Sequence, residues 1–218
     1  MATLYTYFRS GTSHRTRIAL ALKGVAYEQV AIDLTASAQR DPDFLARNPQ
    51  GLVPAFVTDE GETLTQSMAI IEWLEETHPK PPLLPQDPVA RAKVRAIANA
   101  VACDIHPLGN LRVLQYLRKE YGQDEAGVAA WATRWIRDGF NAIEQMLADS
   151  PKGSLGGPWC WGKDPTLADV CLVPQIYAAV SRYALDIRYW RRIAEIDMAA
   201  AAHPAFQIAH PTRQADAR

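Results

Sequence analysis

Residues 78–88 place five prolines in eleven positions, His78-Pro79-Lys80-Pro81-Pro82-Leu83-Leu84-Pro85-Gln86-Asp87-Pro88. Proline fixes φ and removes a backbone donor, so this run can be neither a helix nor a central strand. It reads as a stiff, extended connection, and the hydrophobic period differs on its two sides. Ahead of it, short alternating runs that predict strands are interleaved with helical patterns. Behind it, the apolar spacing is helical throughout. The expected organisation is a mixed α+β domain over 1–80, a linker over 79–88 and an all-helical domain over 89–218. A chain of 218 residues is long enough for two modest cores of this kind.

In the first part, Leu4-Tyr5-Thr6-Tyr7 predicts a strand, and Ile18, Ala19, Leu20 and Leu22 predict a helix that stops at Gly24. Tyr27 to Asp33 predicts a second strand, Pro42 to Asn48 a short helix, and Val53 to Val57 a third strand. The turn Asp59-Glu60-Gly61 leads into a fourth strand, Thr63 to Thr65. Met68, Ile70, Ile71, Trp73 and Leu74 then predict a helix. The order β-α-β-α-β-β-α implies a parallel pair extended by an antiparallel hairpin. After the linker, Val94, Ile97, Val101, Ile105 and Leu108 form one stripe, expected to continue past Leu111, Leu114 and Leu117 to Gly122. Val128 through Leu147 predicts a second long helix, and Ser150 to Asp164 a loop. Thr166-x-x-Asp169 is a capping-box pattern opening a further helix, with Pro174 inside it as an expected kink. A last helix is expected from about Tyr189 to Ala202, before an irregular tail.

Three places carry chemistry. The stretch Phe8-Arg9-Ser10-Gly11-Thr12-Ser13-His14-Arg15 lies where a strand runs out into a helix. Such a turn gathers unpaired N–H groups, the hydroxyls of Ser10, Thr12 and Ser13, and the positive end of a helix dipole. That combination suits an anion, a thiolate above all, although helix capping alone accounts for the same residues. Pro54 heads a strand expected inside the sheet, where proline is normally excluded. A cis Val53–Pro54 bond would accommodate it and turn the N–H and C=O of Val53 outward, ready to pair with a peptide-like ligand; a trans proline at a sheet edge is the alternative. Ser67 is an expected N-cap, which makes the Gln66-Ser67 corner a second helix start suited to an anion.

The net charge is −1, so no global field points to nucleic acid or an acidic membrane, and an anionic ligand needs locally placed arginines or lysines. The three cysteines, Cys103, Cys160 and Cys171, form no CxxC pair, and Cys103-x-x-His106 is too little for zinc. No metal is expected, and a reduced, cytoplasmic setting is. No leader pattern opens the chain, and no apolar run reaches membrane length.

The motifs together resemble one family. A β-α-β-α-β-β-α domain, a proline-rich linker and a helical domain resemble the cytosolic glutathione transferases, with a thioredoxin-like first domain. Phe8-Arg9-Ser10-x-x-Ser13-x-Arg15-x-Arg17-Ile18-Ala19-Leu20, Asn48-Pro49 with Val53-Pro54-Ala55, Gln66-Ser67-x-Ala69-Ile70-Ile71-Glu72-Trp73-Leu74-Glu75-Glu76 and Leu83-Leu84-Pro85 look like the zeta class. So do Asp104-Ile105-His106-Pro107-x-x-Asn110, Thr166-Leu167-Ala168-Asp169 and Pro204-Ala205-Phe206. Within the class, Ser10 to Arg15 and Cys103 to Pro107 look most like the bacterial maleylpyruvate isomerases, whose maleylacetoacetate-specific siblings usually carry cysteine where Thr12 stands.

The resemblance implies a glutathione-dependent cis–trans isomerase in aromatic-acid catabolism, turning maleylpyruvate into fumarylpyruvate by thiolate addition, bond rotation and elimination. Maleylacetoacetate isomerisation and chemistry on α-halo acids are its enzymatic alternatives, and a lapsed binding module is the non-enzymatic one. By the same resemblance, Ser10 and Thr12 stabilise the glutathione thiolate, without deciding which hydroxyl meets sulfur. Gln66 and Ser67 hold the γ-glutamyl end, and Val53, with Pro54, pairs with the cysteinyl backbone. Gln50, and from the second domain His106 and Asn110, reach the same tripeptide; four apart on one helix, those two would share a face. The small dianionic keto acid needs guanidinium partners, for which Arg9 and Arg182 are the candidates and Arg112 a third, facing away from Asn110 unless the helix bends at Pro107. Arg15 and Arg17 are expected in helix-surface or interdomain ion pairs. A homodimer is also implied. Ile187 to Trp190 and Gln214 to Asp216 lack prolines usual in the family, and Lys163 stands where an acidic residue is common.

Overall fold

The computed structural model describes residues 1–151 and 156–217. They divide into two compact units, Met1–Pro82 with Ala202–Arg218, and Leu83–Ala201. The first unit carries a four-stranded mixed sheet in the order β2-β1-β3-β4, where β1 is Thr3–Thr6, β2 Glu28–Ala31, β3 Ala55–Val57 and β4 Thr63–Thr65. β1 pairs parallel with β2 and antiparallel with β3, which pairs antiparallel with β4. The parallel pair is joined through α1 (Gly11–Lys23), which ends on Gly24 at φ +66°, a left-handed conformation that glycine adopts without a Cβ clash. Helix α2 (Pro42–Arg47) precedes β3, and α3 (Ser67–Thr77) closes the motif. Leu4, Ile18, Leu20, Phe56, Ile70, Ile71 and Leu74 are buried and fill the space between sheet and helices.

The chain's end departs from the expectation. Pro204–Ala209 forms a further helix rather than an irregular tail, with Pro204 at its first position and the His203 side chain accepting from the Ala205 N–H. This segment belongs to the first unit rather than to the helical one. The reason is local: Ala205, Phe206 and Ala209 bury an apolar face, and the Ala209 carbonyl accepts from Arg17 Nε at 3.1 Å.

Among its described residues the second unit contains helices and turns but no strand: α4 (Pro88–Asn99), α5 (Leu111–Tyr121), α6 (Glu125–Met146), α7 (Leu167–Tyr183) and α8 (Arg191–Ala202), so that Pro204–Ala209 in the first unit is α9. The stripe expected to run unbroken from Val94 to Gly122 is interrupted. A wide π-helical turn over Ala100–Ile105 and a 3-10 turn over His106–Gly109 separate α4 from α5. Pro107 has no N–H to continue the helix, and Asn110 leaves helical geometry at φ −67°, ψ 145° to become the N-cap of α5. Gly139 of α6 lies against the π turn, where a Cβ would stand 2.2 Å from Ile105 Cδ1. Helix α7 is buried through most of its length and carries Pro174 inside it. Its capping box is complete, Asp169 accepting from Thr166 N and Oγ1 at 2.8 and 2.7 Å and from Cys160 N at 2.7 Å. Of the loop expected over 150–164, residues 152–155 lie outside the described residues, and the rest has no regular helix or strand.

Helix α1 is buried from Ser13 to Leu20, including His14, Arg15 and Arg17, which are 2%, 2% and 0% exposed. The helix-surface placement expected for the two arginines is thus corrected: sheet and α9 enclose the helix. Burial pushes the His14 imidazole well below its usual 6.5, and Arg17, His210 and Arg15 add to the shift. Unfolded His14 binds a proton below about 6.5 while the folded chain keeps it neutral, so folding loses stability as pH falls through that range. The expected slope is about 1.4 kcal/mol per pH unit from this residue. Urea denaturation between pH 7 and 5 should show it, and His14→Gln should flatten it; an unchanged slope in that variant would remove His14 from the account.

Candidate active site

The first unit brings eight of the expected site residues to one end of its sheet. Ser10 is the N-cap of α1, in extended conformation, and its Oγ accepts from Ser13 N–H at 3.3 Å. Ser10 Oγ and Thr12 Oγ1 lie 2.9 Å apart, and Thr12 Oγ1 donates to the Val53 carbonyl at 2.9 Å. A carbonyl only accepts, so the single Thr12 proton is committed to Val53. In the 2.9 Å contact Ser10 is therefore the donor. Two hydroxyls that look equivalent in the sequence differ here: the Ser10 proton points at a group that does not need it, and the Thr12 proton is held.

Val53–Pro54 is cis. The expectation that both polar groups of Val53 face outward fails for the carbonyl. The carbonyl is turned to Thr12, whereas the Val53 N–H donates to no backbone carbonyl among the described residues. The preceding loop is fixed by Asn48, whose side chain donates to the Leu52 carbonyl at 2.6 Å and accepts from Gln50 N–H at 3.1 Å. This gives Asn48-Pro49 a structural reason.

The Gln66-Ser67 corner also differs in detail. Gln66, not Ser67, is the N-cap of α3, at φ 68°, ψ 115°, and Ser67 is the first helical residue. No side chain caps this helix, so its first N–H groups are presented at the corner without a protein acceptor from the cap. Gln66 Nε2 donates to Gln50 Oε1 at 2.6 Å, tying the α3 start to the 48–52 loop. A non-glycine residue held at positive φ marks a place where the fold enforces backbone geometry.

One site candidate was missed in the sequence. Gln39 Oε1 is buried with no hydrogen-bond partner, and the Gln39 backbone lies beside the same loop: a Cβ on Gly51 would stand 3.0 Å from the Gln39 backbone carbonyl oxygen and 2.8 Å from Arg40 Nη1. A buried amide oxygen without a donor is costly, so it suits a ligand N–H. Nothing in the local sequence signals this, because the 38–40 turn reaches Gly51 only in three dimensions.

Arg9 is exposed on the turn that carries Ser10. The remaining candidates belong to the second unit, where Arg112 and Arg182 are exposed and His106 and Asn110 half-buried. The expectation that His106 and Asn110 share a face of one helix fails, since the chain is 3-10 at His106 and non-helical at Asn110. The Asn110 side chain is engaged in capping, its Oδ1 accepting from Arg112 N–H at 3.2 Å. The bend at Pro107 on which an inward Arg112 depended is present.

Residues 1–76 match the family model described as glutathione S-transferase, N-terminal domain. The maleylacetoacetate isomerase of Pseudomonas aeruginosa is 50% identical over 98% of this chain and 97% of its own length. A solved structure described as holo maleylpyruvate isomerase, a bacterial glutathione S-transferase of the zeta class, has a TM-score of 0.94 at 48% identity, covering 99% of this chain and 100% of that one. The maleylacetoacetate isomerase of Anaeromyxobacter dehalogenans 2CP-1, with dicarboxyethyl glutathione and citrate in its active site, has a TM-score of 0.86 at 42% identity, covering 100% of this chain and 98% of that one.

Proposed function

Since the chain belongs to the zeta-class glutathione transferases, the group that includes the maleylacetoacetate and maleylpyruvate isomerases, we propose that it isomerises maleylpyruvate to fumarylpyruvate with glutathione as cofactor. The residues present fit that tripeptide. An uncommitted N–H at Val53, an α3 start without a side-chain cap at Gln66-Ser67 and a buried, partnerless amide oxygen at Gln39 match a ligand made of peptide groups and a carboxylate. When bound, glutathione supplies a thiolate that adds to the cis double bond, permits rotation and leaves again.

The observation that carries the reading is the hydroxyl pair at the start of α1. Ser10 can turn its O–H to a sulfur without breaking the Thr12–Val53 bond, and Ser13 N–H, donating to Ser10 Oγ, strengthens it as a donor. With the α1 dipole, this hydroxyl lowers the pKa of a bound thiol from about 8.5 toward neutrality. Thr12 keeps Val53 in place for the ligand backbone. Gln50, Gln66, Ser67, His106 and Asn110 complete the tripeptide contacts, and Arg9, Arg182 and Arg112 take the carboxylates of the keto acid and the charge that develops on it. Exposed arginines are screened, so Arg182→Ala should cost about tenfold in kcat/KM while leaving glutathione affinity intact; unchanged turnover would remove it from the site.

The 50% identity to a maleylacetoacetate isomerase keeps that substrate as the second reading. The two cis acids differ by one methylene, worth about 1–3 kcal/mol in a pocket. Following the absorbance of both acids with and without glutathione tests the proposal: maleylpyruvate should turn over only with glutathione and about tenfold faster than its homologue. No acceleration of either acid by glutathione would end the isomerase reading. The proposal includes a cytoplasmic homodimer, a reduced compartment suiting both the cofactor and the three cysteines, none of which is in a disulfide. Among the described residues no helix is long and apolar enough to cross a membrane.

A further inference from the structure

We propose that Asp216, next to the chain's end, is a positioning residue for the Ser10 turn, acting through the Phe8 peptide. The inference rests on the reading of Ser10 as the thiolate's hydrogen-bond donor. Between the last residue of β1, Thr6, and the first of α1, Gly11, the local backbone bonds involve Ser10: its N–H donates to the Tyr7 carbonyl at 3.0 Å and its carbonyl accepts from His14 N–H at 2.9 Å. The Phe8 peptide is held instead by groups distant in sequence. Its N–H donates to Asp216 Oδ2 at 2.9 Å, and its carbonyl accepts from Arg17 Nη2 at 3.0 Å. Asp216 is itself oriented, because Gln29 of β2 donates to its other oxygen at 3.2 Å. Arg17 also donates to the Tyr7 and Ala209 carbonyls, so α9 and the tail after it are tied to the same turn. The residue two before Ser10 is thus held at both its N–H and its carbonyl.

The clamp's sign argues for position rather than field. A carboxylate near a thiolate disfavours the thiolate, so Asp216 helps the chemistry only through where it holds the backbone. The charged and titratable groups on the elements packed around the turn include Tyr5 and Tyr7, Arg9, then His14, Arg15, Arg17 and Lys23 of α1, Tyr27 and Glu28 at β2, and His210, Arg213 and Asp216 of the tail. A hydroxyl about 1 Å out of place loses much of a charge-assisted bond.

Asp216→Ala and Asp216→Asn separate the two roles. Both remove the charge, but asparagine retains an oxygen that can accept from Phe8 N–H. The titration of the bound glutathione thiol by its ultraviolet absorbance, the pH profile of kcat/KM, and amide exchange at residues 7–10 are compared with the unmutated protein. Asp216→Ala is expected to fold, to exchange the Phe8 amide faster, to raise the thiol midpoint by about one unit and to lose about tenfold in kcat/KM near neutral pH. Asp216→Asn is expected to stay near the unmutated values. An unchanged thiol midpoint in Asp216→Ala would overturn the proposal, and so would a midpoint lowered in both variants, which is the signature of a field effect. Loss of folding in Asp216→Ala would also overturn it, assigning the residue to stability alone. If the unmutated protein binds no glutathione thiolate, the functional reading itself fails, a result distinguishable because it needs no substitution.

Discussion

Ser10→Ala is expected to lower kcat/KM for maleylpyruvate by about 100-fold at neutral pH, and Thr12→Val by less than about tenfold. A hydrogen bond to a charged group contributes about 1.5–3 kcal/mol, and the upper part of that range is a 100-fold effect on rate. The asymmetry follows from where the two protons go. Thr12 gives its proton to the Val53 carbonyl, while Ser10 gives its own only to Thr12, a neutral oxygen that a sulfur anion can displace. Valine preserves the shape of Thr12 and removes two neutral bonds, one to Val53 and one from Ser10, the second of which a bound sulfur anion replaces. Alanine at Ser10 removes the donor to sulfur and the cap on Ser13 N–H together. Losing the donor raises the thiol pKa, so the acidic limb of the kcat/KM profile in Ser10→Ala should move up by between one and two units, with activity partly recovered at higher pH. Equal losses in both variants, or a larger loss in Thr12→Val, would transfer the role to Thr12.

Arg17→Met is expected to lower the unfolding free energy by about 3–5 kcal/mol, measured by urea denaturation. The guanidinium is 0% exposed and donates to Thr6 Oγ1 at 3.0 Å, to the Tyr7 and Phe8 carbonyls at 3.4 and 3.0 Å, and to the Ala209 carbonyl at 3.1 Å. Burial lowers its pKa to about 10, with Tyr27 and Asp216 pulling the other way, so it remains a cation at neutral pH. Methionine fills most of the volume but removes the donor to Thr6 Oγ1 and to the Phe8 and Ala209 carbonyls, while the Tyr7 carbonyl keeps only the Ser10 N–H. The same variant should loosen α9, seen as faster amide exchange over 204–209. A loss below about 1 kcal/mol would show that water or the relaxed backbone satisfies those carbonyls.

Much of the fold was legible because short-range rules govern it. The 78–88 prolines exclude helix and central strand by geometry alone, Gly24 and Ser10 punctuate α1, and Thr166 with Asp169 forms the expected box. Those signals depend on residues within one turn of each other. The break between α4 and α5 was concealed because apolar residues keep a helical spacing across it, while Pro107 and the capping side chain of Asn110 override the pattern. Arg15 and Arg17 were placed on a surface because charged residues on a helix usually are. α1 is instead enclosed, and the element that covers Arg17 lies at the other end of the chain.

The residues proposed for the site can be named from the sequence, and the partners of their hydrogen bonds cannot. Composition and local pattern determine which hydroxyls, prolines and glutamines stand at strand exits and helix starts, since that is set by backbone geometry over a few residues. Which proton is free to move was decided by Val53 reaching Thr12 across 41 positions, and the hold on Phe8 by Asp216 and Arg17 closing on it from two other parts of the chain. A hydrogen bond has one donor and one direction, and when its partners are distant in sequence, only the folded arrangement assigns them.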